Sequence, residues 1–175
     1  MGRALLERSG LAEDAQDRLD YLEEAEARLR EAQAINPLNT DHTANLARLY
    51  TRWYGVASSD AERQERVAQA EQYYQTALEL SPQNSVIRNE YAQLALELKQ
   101  NCSQALALYD ESAEIDPFYT LTFLSRADAY VVCGANLPEP ARTEHYETGR
   151  RQSGFRAGAT ARKLAGLGPV GRSLP

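Results

Sequence analysis

The chain is poor in the residues from which reactive sites are usually built. Its 175 residues include two cysteines, two histidines, one methionine and one tryptophan. Cys102 and Cys133 form no Cys-x-x-Cys pair, and His42 and His145 lie far apart, so the spacing of a zinc site is missing. His42 follows Asp41 at a helix start, where a turn residue is its natural role. No Gly-rich phosphate loop, nucleophile elbow or metal-binding helix motif occurs. Adjacent carboxylates such as Glu23-Glu24 and Asp110-Glu111 belong on solvated helix faces. The expectation is a protein without catalysis, cofactor or metal. No run of about 18 apolar residues exists, so no membrane-spanning helix is expected. The opening stretch MGRALLERSGLAEDAQ turns acidic too early for a signal peptide.

Charge is also lacking where it would balance the chain. Residues 1–140 hold 23 acidic and 12 basic side chains, residues 141–175 only 2 acidic against 7 basic, and no acid follows Glu147. The net charge of −6 argues against nucleic acid as a partner. A basic end beside an acidic body suggests that the two meet, within one copy or between copies. The plain alternative is a solvated basic tail.

What is present is a repeat. Ala25, Leu29, Ala32 and Pro37 recur as Ala70, Tyr74, Ala77 and Pro82, and again as Ala105, Tyr109, Ser112 and Pro117. Small residues at this spacing let two helices approach, large ones fill the gaps between them, and the proline stops the helix. The helical spacing predicts a weak helix within residues 3–18, interrupted at Ser9-Gly10, then helices near 22–35, 41–54, 60–80, 85–98, 103–115 and 119–132. A final one over 141–153 is weakened by Gly149. Ser59 and Glu62 read as a capping box that extends the fourth helix backwards, to roughly 30 Å. Residues 154–175, rich in glycine, bury too little apolar surface to order themselves.

These positions, with Leu46, Ala47 and Tyr50 on one helix and Tyr91, Ala92 and Ala95 on another, resemble the tetratricopeptide repeat (TPR) over residues 12–134. The resemblance implies an all-α, right-handed solenoid of antiparallel helix pairs with about 3.5–4 repeats and 7–8 helices. Residues 1–150 would form the solenoid, and 151–175 a basic tail docked on a neighbouring copy. Two narrower stretches, INPLNTDHTANLARLY (35–50) and SPQNSVIRNEYAQLAL (81–96), resemble the TPR tail of bacterial O-antigen ligase/polymerase-type membrane proteins. That likeness transfers no catalytic residue. It implies an extracellular or cell-surface setting, with the chain processed from a larger membrane protein, and an envelope protein or glycan as partner. A cytoplasmic setting is the alternative.

In a TPR stack, Cys102 at the start of one helix and Cys133 at the end of the next lie on the same side. They form either a disulfide or two buried free thiols. Tyr50, Tyr74, Tyr91, Tyr109 and Tyr130 fall on packing positions, whereas Trp53, Tyr54 and Tyr119 are expected to be partly exposed.

Two functions follow. One is self-association: a short solenoid has two open ends, and head-to-tail stacking of copies makes an extracellular filament or tube. Arg150, Arg151, Phe155, Arg156, Arg162 and Lys163 are the residues expected to join neighbours. The other is an adaptor that holds a peptide or protein in the concave groove that TPR helices line. By repeat position the groove candidates are Asn45, Arg48, Arg52, Asn89, Gln93, Glu97 and Asp128. Ala44 and Asn89 stand where the carboxylate-clamp type of groove would want its first lysine.

Overall fold

The computed structural model describes residues 1–135 and 137–152. Among them are eight α-helices: α1 Gly2–Leu11, α2 Ala15–Ile35, α3 Thr40–Tyr54, α4 Asp60–Leu80, α5 Ser85–Glu97, α6 Cys102–Ile115, α7 Thr120–Gly134 and α8 Ala141–Gln152. Four helix pairs, α1–α2, α3–α4, α5–α6 and α7–α8, stack in chain order, and α1 also touches α3 while α5 touches α7. This is the expected solenoid of helix pairs. The candidates Phe155, Arg156, Arg162 and Lys163 lie outside the described residues, as does the docking of the tail.

The same short sequence device makes each junction. At the ends of α2, α4 and α6 the N–H groups of Asn36, Ser81 and Asp116 close the last turn on Ala32, Ala77 and Ser112. A proline follows each time, and the next helix then starts. Asn39 caps α3 through the His42 N–H and Asn84 caps α5 through the Ile87 N–H. At the third junction the equivalent residue is Tyr119, which provides no side-chain cap for α7. Ser59 does cap α4 through the Glu62 N–H, but Glu62 reaches one residue further back than a capping box would, to the Ser58 N–H and hydroxyl.

The first unit differs from the expected boundaries. α1 ends at Leu11, and α2 begins at Ala15 instead of near 22, because Asp14 caps it by accepting from the Gln16 and Asp17 N–H groups. Ser9-Gly10 does not interrupt α1. The Ser9 hydroxyl donates to the Leu6 carbonyl, and Gly10 faces the Arg52 guanidinium, which would lie 3.1 Å from a β-carbon there.

The main core runs from α1 to α5. It contains Leu6, Leu22, Leu46, Leu49, Tyr50, Trp53, Tyr74, Ile87 and Leu94 around the closely packed Ala25, Ala47, Ala70 and Ala77. Trp53 is buried, contrary to its expected exposure, because the Arg66 guanidinium lies 4.3 Å from its ring centroid. Tyr54 and Tyr119 are half-buried. The second core is small: Ala92, Tyr109 and Ala129. Near it Cys102 and Cys133 are joined as a disulfide with Cα atoms 5.8 Å apart, across a sequence separation of 31. Closing such a loop is worth about 3–4 kcal/mol in the chain-entropy account.

Two carboxylates tie the layers together. Burial alone would raise the Glu26 carboxyl, but hydrogen bonds from Tyr50 and Arg30 outweigh it and hold it below its ordinary 4.5. Glu71 is likewise lowered: burial opposes, and Lys99, Tyr91 and Gln104 prevail. A lowered folded-state value means stability that is fully present above the ordinary 4.5 and is lost as pH falls through the lower folded value. The wild type should therefore lose denaturation midpoint below about pH 4.5 more steeply than a Glu26→Gln/Glu71→Gln double variant. Equal slopes for the two chains would show that these carboxylates are not responsible.

Candidate functional site

α1, α3, α5 and α7, the first helices of each pair, follow one another as a row whose neighbours are tied by side chains, and these helices share one face of the stack. Between α3 and α5 this face opens into a cleft of about 270 Å³ lined by Arg48, Thr51, Arg52, Tyr74, Glu90, Gln93, Leu94, Glu97 and Leu98. Tyr74 forms part of the lining, and burial, with the nearby Glu90 charge, pushes its phenol well up.

Several of the groove candidates are engaged by neighbouring helices. Arg52 donates to the Leu6 carbonyl and so ties α3 to α1. Arg48 pairs with Glu90 at 2.8 Å, tying α3 to α5, while its other arm donates to Asn45 at 2.8 Å. Asn89 donates to the Thr122 hydroxyl at 2.7 Å, tying α5 to α7. These side chains make the rungs that hold the face together, and a partner would meet them already spoken for.

Gln93, Glu97 and Asp128 are exposed. Gln93 donates to Glu97 at 2.9 Å. Burial first, and then the Glu97 and Asp128 charges, push the Tyr109 phenol up to about 12. Glu97 closes α5, and Asp128 lies in the middle of α7.

Apolar residues that periodicity alone would assign to the core complete this face. Leu121, Leu124 and Val131 on α7 stand at a spacing of three and seven, with Asp128 between the last two, and Val132 adjoins them. All four apolar side chains are exposed: 55% for Leu121, 44% for Leu124, 52% for Val131 and 54% for Val132. Sequence reasoning passes over them because hydropathy counts apolar residues without asking which side they face. The signal is the 35-residue offset between α5 and α7, which places Leu121, Leu124 and Asp128 on the positions of Val86, Asn89 and Gln93. The face is thus charged and hydrogen-bonded over α1–α5 and greasy with an acidic edge over α7.

Of the assembly candidates among the described residues, Arg150 and Arg151 lie in the last turn of α8, both exposed, and Arg151 donates to Thr148. No group of three or more His, Cys, Asp or Glu side chains among the described residues could hold a metal ion, and no helix there is long and apolar enough to cross a membrane.

Comparisons with known proteins fit this geometry. The chain shares its fold with a thermophilic TPR protein of Thermus thermophilus, with a TM-score of 0.60 and 14% identity, over 86% of this chain and 76% of that one. No curated protein matches it, so the likeness of residues 35–50 and 81–96 to the O-antigen ligase/polymerase tail gains no support. Residues 1–115 match the family described as plant-specific mitochondrial import receptor subunit TOM20, and the match stops at the last residue of α6. That finding overturns the extracellular setting drawn from the O-antigen likeness, because the matched family is a mitochondrial one.

Proposed function

Since this chain belongs to the plant-specific mitochondrial import receptor subunit TOM20 family, we propose that it is a non-catalytic receptor-type scaffold that binds another polypeptide on the α5–α7 part of its A-helix face. The observation that supports this reading is the exposed row Leu121, Leu124, Val131 and Val132 with Glu97 and Asp128 beside it. A helix laid in such a groove would bury an apolar face and set basic side chains against the two carboxylates. The partner class is therefore an amphipathic segment with lysine or arginine flanking its apolar side.

Binding of a fluorescent peptide with leucines on one helical face and arginines beside them tests this by anisotropy. Leu124→Asp and Val131→Asp touch exposed side chains and should leave the melting temperature unchanged. Each should weaken the peptide by at least tenfold, about 1.4 kcal/mol. Asp128→Lys should weaken it by a smaller factor that shrinks as salt rises. Unchanged affinity in both aspartate variants would sink the reading. The Arg48 and Arg52 positions are poor tests, because charge reversal there breaks the ties to Glu90 and Leu6.

Head-to-tail association is the second reading, favoured by apolar residues exposed on both terminal pairs. Leu11 (83%), Ile35 (80%) and Leu38 (76%) lie on or beside the first pair, and Phe118 (91%) precedes α7. Sedimentation velocity separates the two: stacking yields large particles without any peptide. A clean monomer at high concentration in low salt leaves the groove reading alone standing.

A further inference from the structure

Along α7, the side chains at Thr122, Arg126, Ala129 and Cys133 follow a spacing of four, three and four, so they share one face. Thr122, Arg126 and Ala129 are buried and meet α5 and α6 through Asn89, Ser112, Asp110, Ala92 and Tyr109. The same four positions on α5 are Ile87, Tyr91, Leu94 and Leu98, and on α3 they are His42, Leu46, Leu49 and Trp53. Apart from His42, the seam on α3 and α5 is made of large apolar or aromatic side chains, and on α7 it is replaced by a hydroxyl, a guanidinium, a methyl group and a sulfur. α7 also lacks the side-chain N-cap that Asn39 and Asn84 give α3 and α5. What the seam lacks in apolar burial, a covalent bond supplies at its far end, where Cys133 joins Cys102 at the start of α6. Both cysteines are half-buried, outside the two sealed cores.

We propose that the Cys102–Cys133 disulfide is a redox latch: with it closed the α7–α8 pair stays seated, and reduction releases that pair while α1–α5 remain folded. A dithiol reductant supplies the two electrons and two protons. The S–S bond breaks, thiols form at Cys102 and Cys133, and the reductant becomes a cyclic disulfide. Because α7 holds Leu121, Leu124 and Val131, opening the latch also dismantles the apolar part of the binding face. That consequence rests on the groove reading above; the release itself does not.

Hydrogen exchange on the full chain, before and after dithiothreitol, reads the release without any partner. Amides of α7 and α8 should exchange at least tenfold faster after reduction, with those of α3 and α4 unchanged. The Cys102→Ala/Cys133→Ala chain should behave like the reduced protein. Adding Arg126→Leu to that chain, which restores the apolar character of Leu46 and Tyr91, should recover protection in α7. Unchanged exchange in α7–α8, an equal loss through all helices, or no recovery with Arg126→Leu would each overturn the latch. If the pair is released and the peptide still binds with undiminished affinity, the groove reading fails and the latch stands.

Discussion

Tyr50→Ala should cost about 4–5 kcal/mol and lower the melting temperature by about 10–15 °C. The ring is fully buried and stacks on Trp53 and Tyr73, with centroids 6.4 and 5.6 Å away. Its removal leaves a cavity between α2, α3 and α4. The hydroxyl donates to Glu26 at 2.5 Å and accepts from Arg30 at 2.7 Å, so the truncation also strips one partner from each. Tyr50→Phe separates these contributions. It keeps the ring and should cost only about 1.5–3 kcal/mol, the worth of a hydrogen bond to a charged group. A thermal melt that placed the alanine variant within a few degrees of wild type would show that the first core does not turn on this residue.

Gly149→Ala should destabilise the chain even though alanine favours a helix interior by about 1 kcal/mol. The reason is distance. A β-carbon at 149 would stand 2.7 Å from the Tyr130 Cβ and 3.2 Å from the Ala127 carbonyl oxygen, and neither is the far end of a flexible side chain. Relieving that overlap pushes α8 off α7, at a cost of about 1–3 kcal/mol for overpacking. Packing then outweighs propensity, and hydrogen exchange in α8 should quicken while the circular dichroism of the rest stays intact. A more protected α8 would mean that the two helices can separate without loss and that propensity prevails. By propensity Gly149 is a weak point in the last helix; in the structure it is the position that lets two helices approach.

That contrast indicates what a sequence discloses. α4 is legible to the residue, Asp60–Leu80, because Ser59 and Pro82 bound it with local chemistry. The start of α3 is less legible: Thr40 and Asp41 are capping residues too, and only the structure shows Asn39 accepting from the His42 N–H. The α1–α2 boundary goes unread although it is local as well: Asp14 caps α2, while the neighbouring Ser9-Gly10 pair has the composition of a break and stays helical. The candidate groove is legible in phase but not in allegiance. Repeat position places Arg48, Arg52 and Asn89 on the A helices. It cannot tell that Glu90, the Leu6 carbonyl and Thr122 engage them. The α7 row goes unread for the converse reason, since exposed leucine and buried leucine look alike in a string of letters. Setting is the clearest correction: a likeness over two short stretches pointed outside the cell, and a family match over residues 1–115 points to mitochondria.

The three rungs between successive A helices differ in kind. Arg52 to the Leu6 carbonyl sets a cation on a neutral dipole, and Asn89 to Thr122 is neutral on both sides. Arg48 to Glu90, in the middle, joins full opposite charges that are each a little under one-third exposed to water. Dissolved ions weaken the middle rung far more than its neighbours. The row of A helices is therefore uneven in its response to ions: screening acts on the α3–α5 tie and leaves the α1–α3 and α5–α7 ties almost untouched.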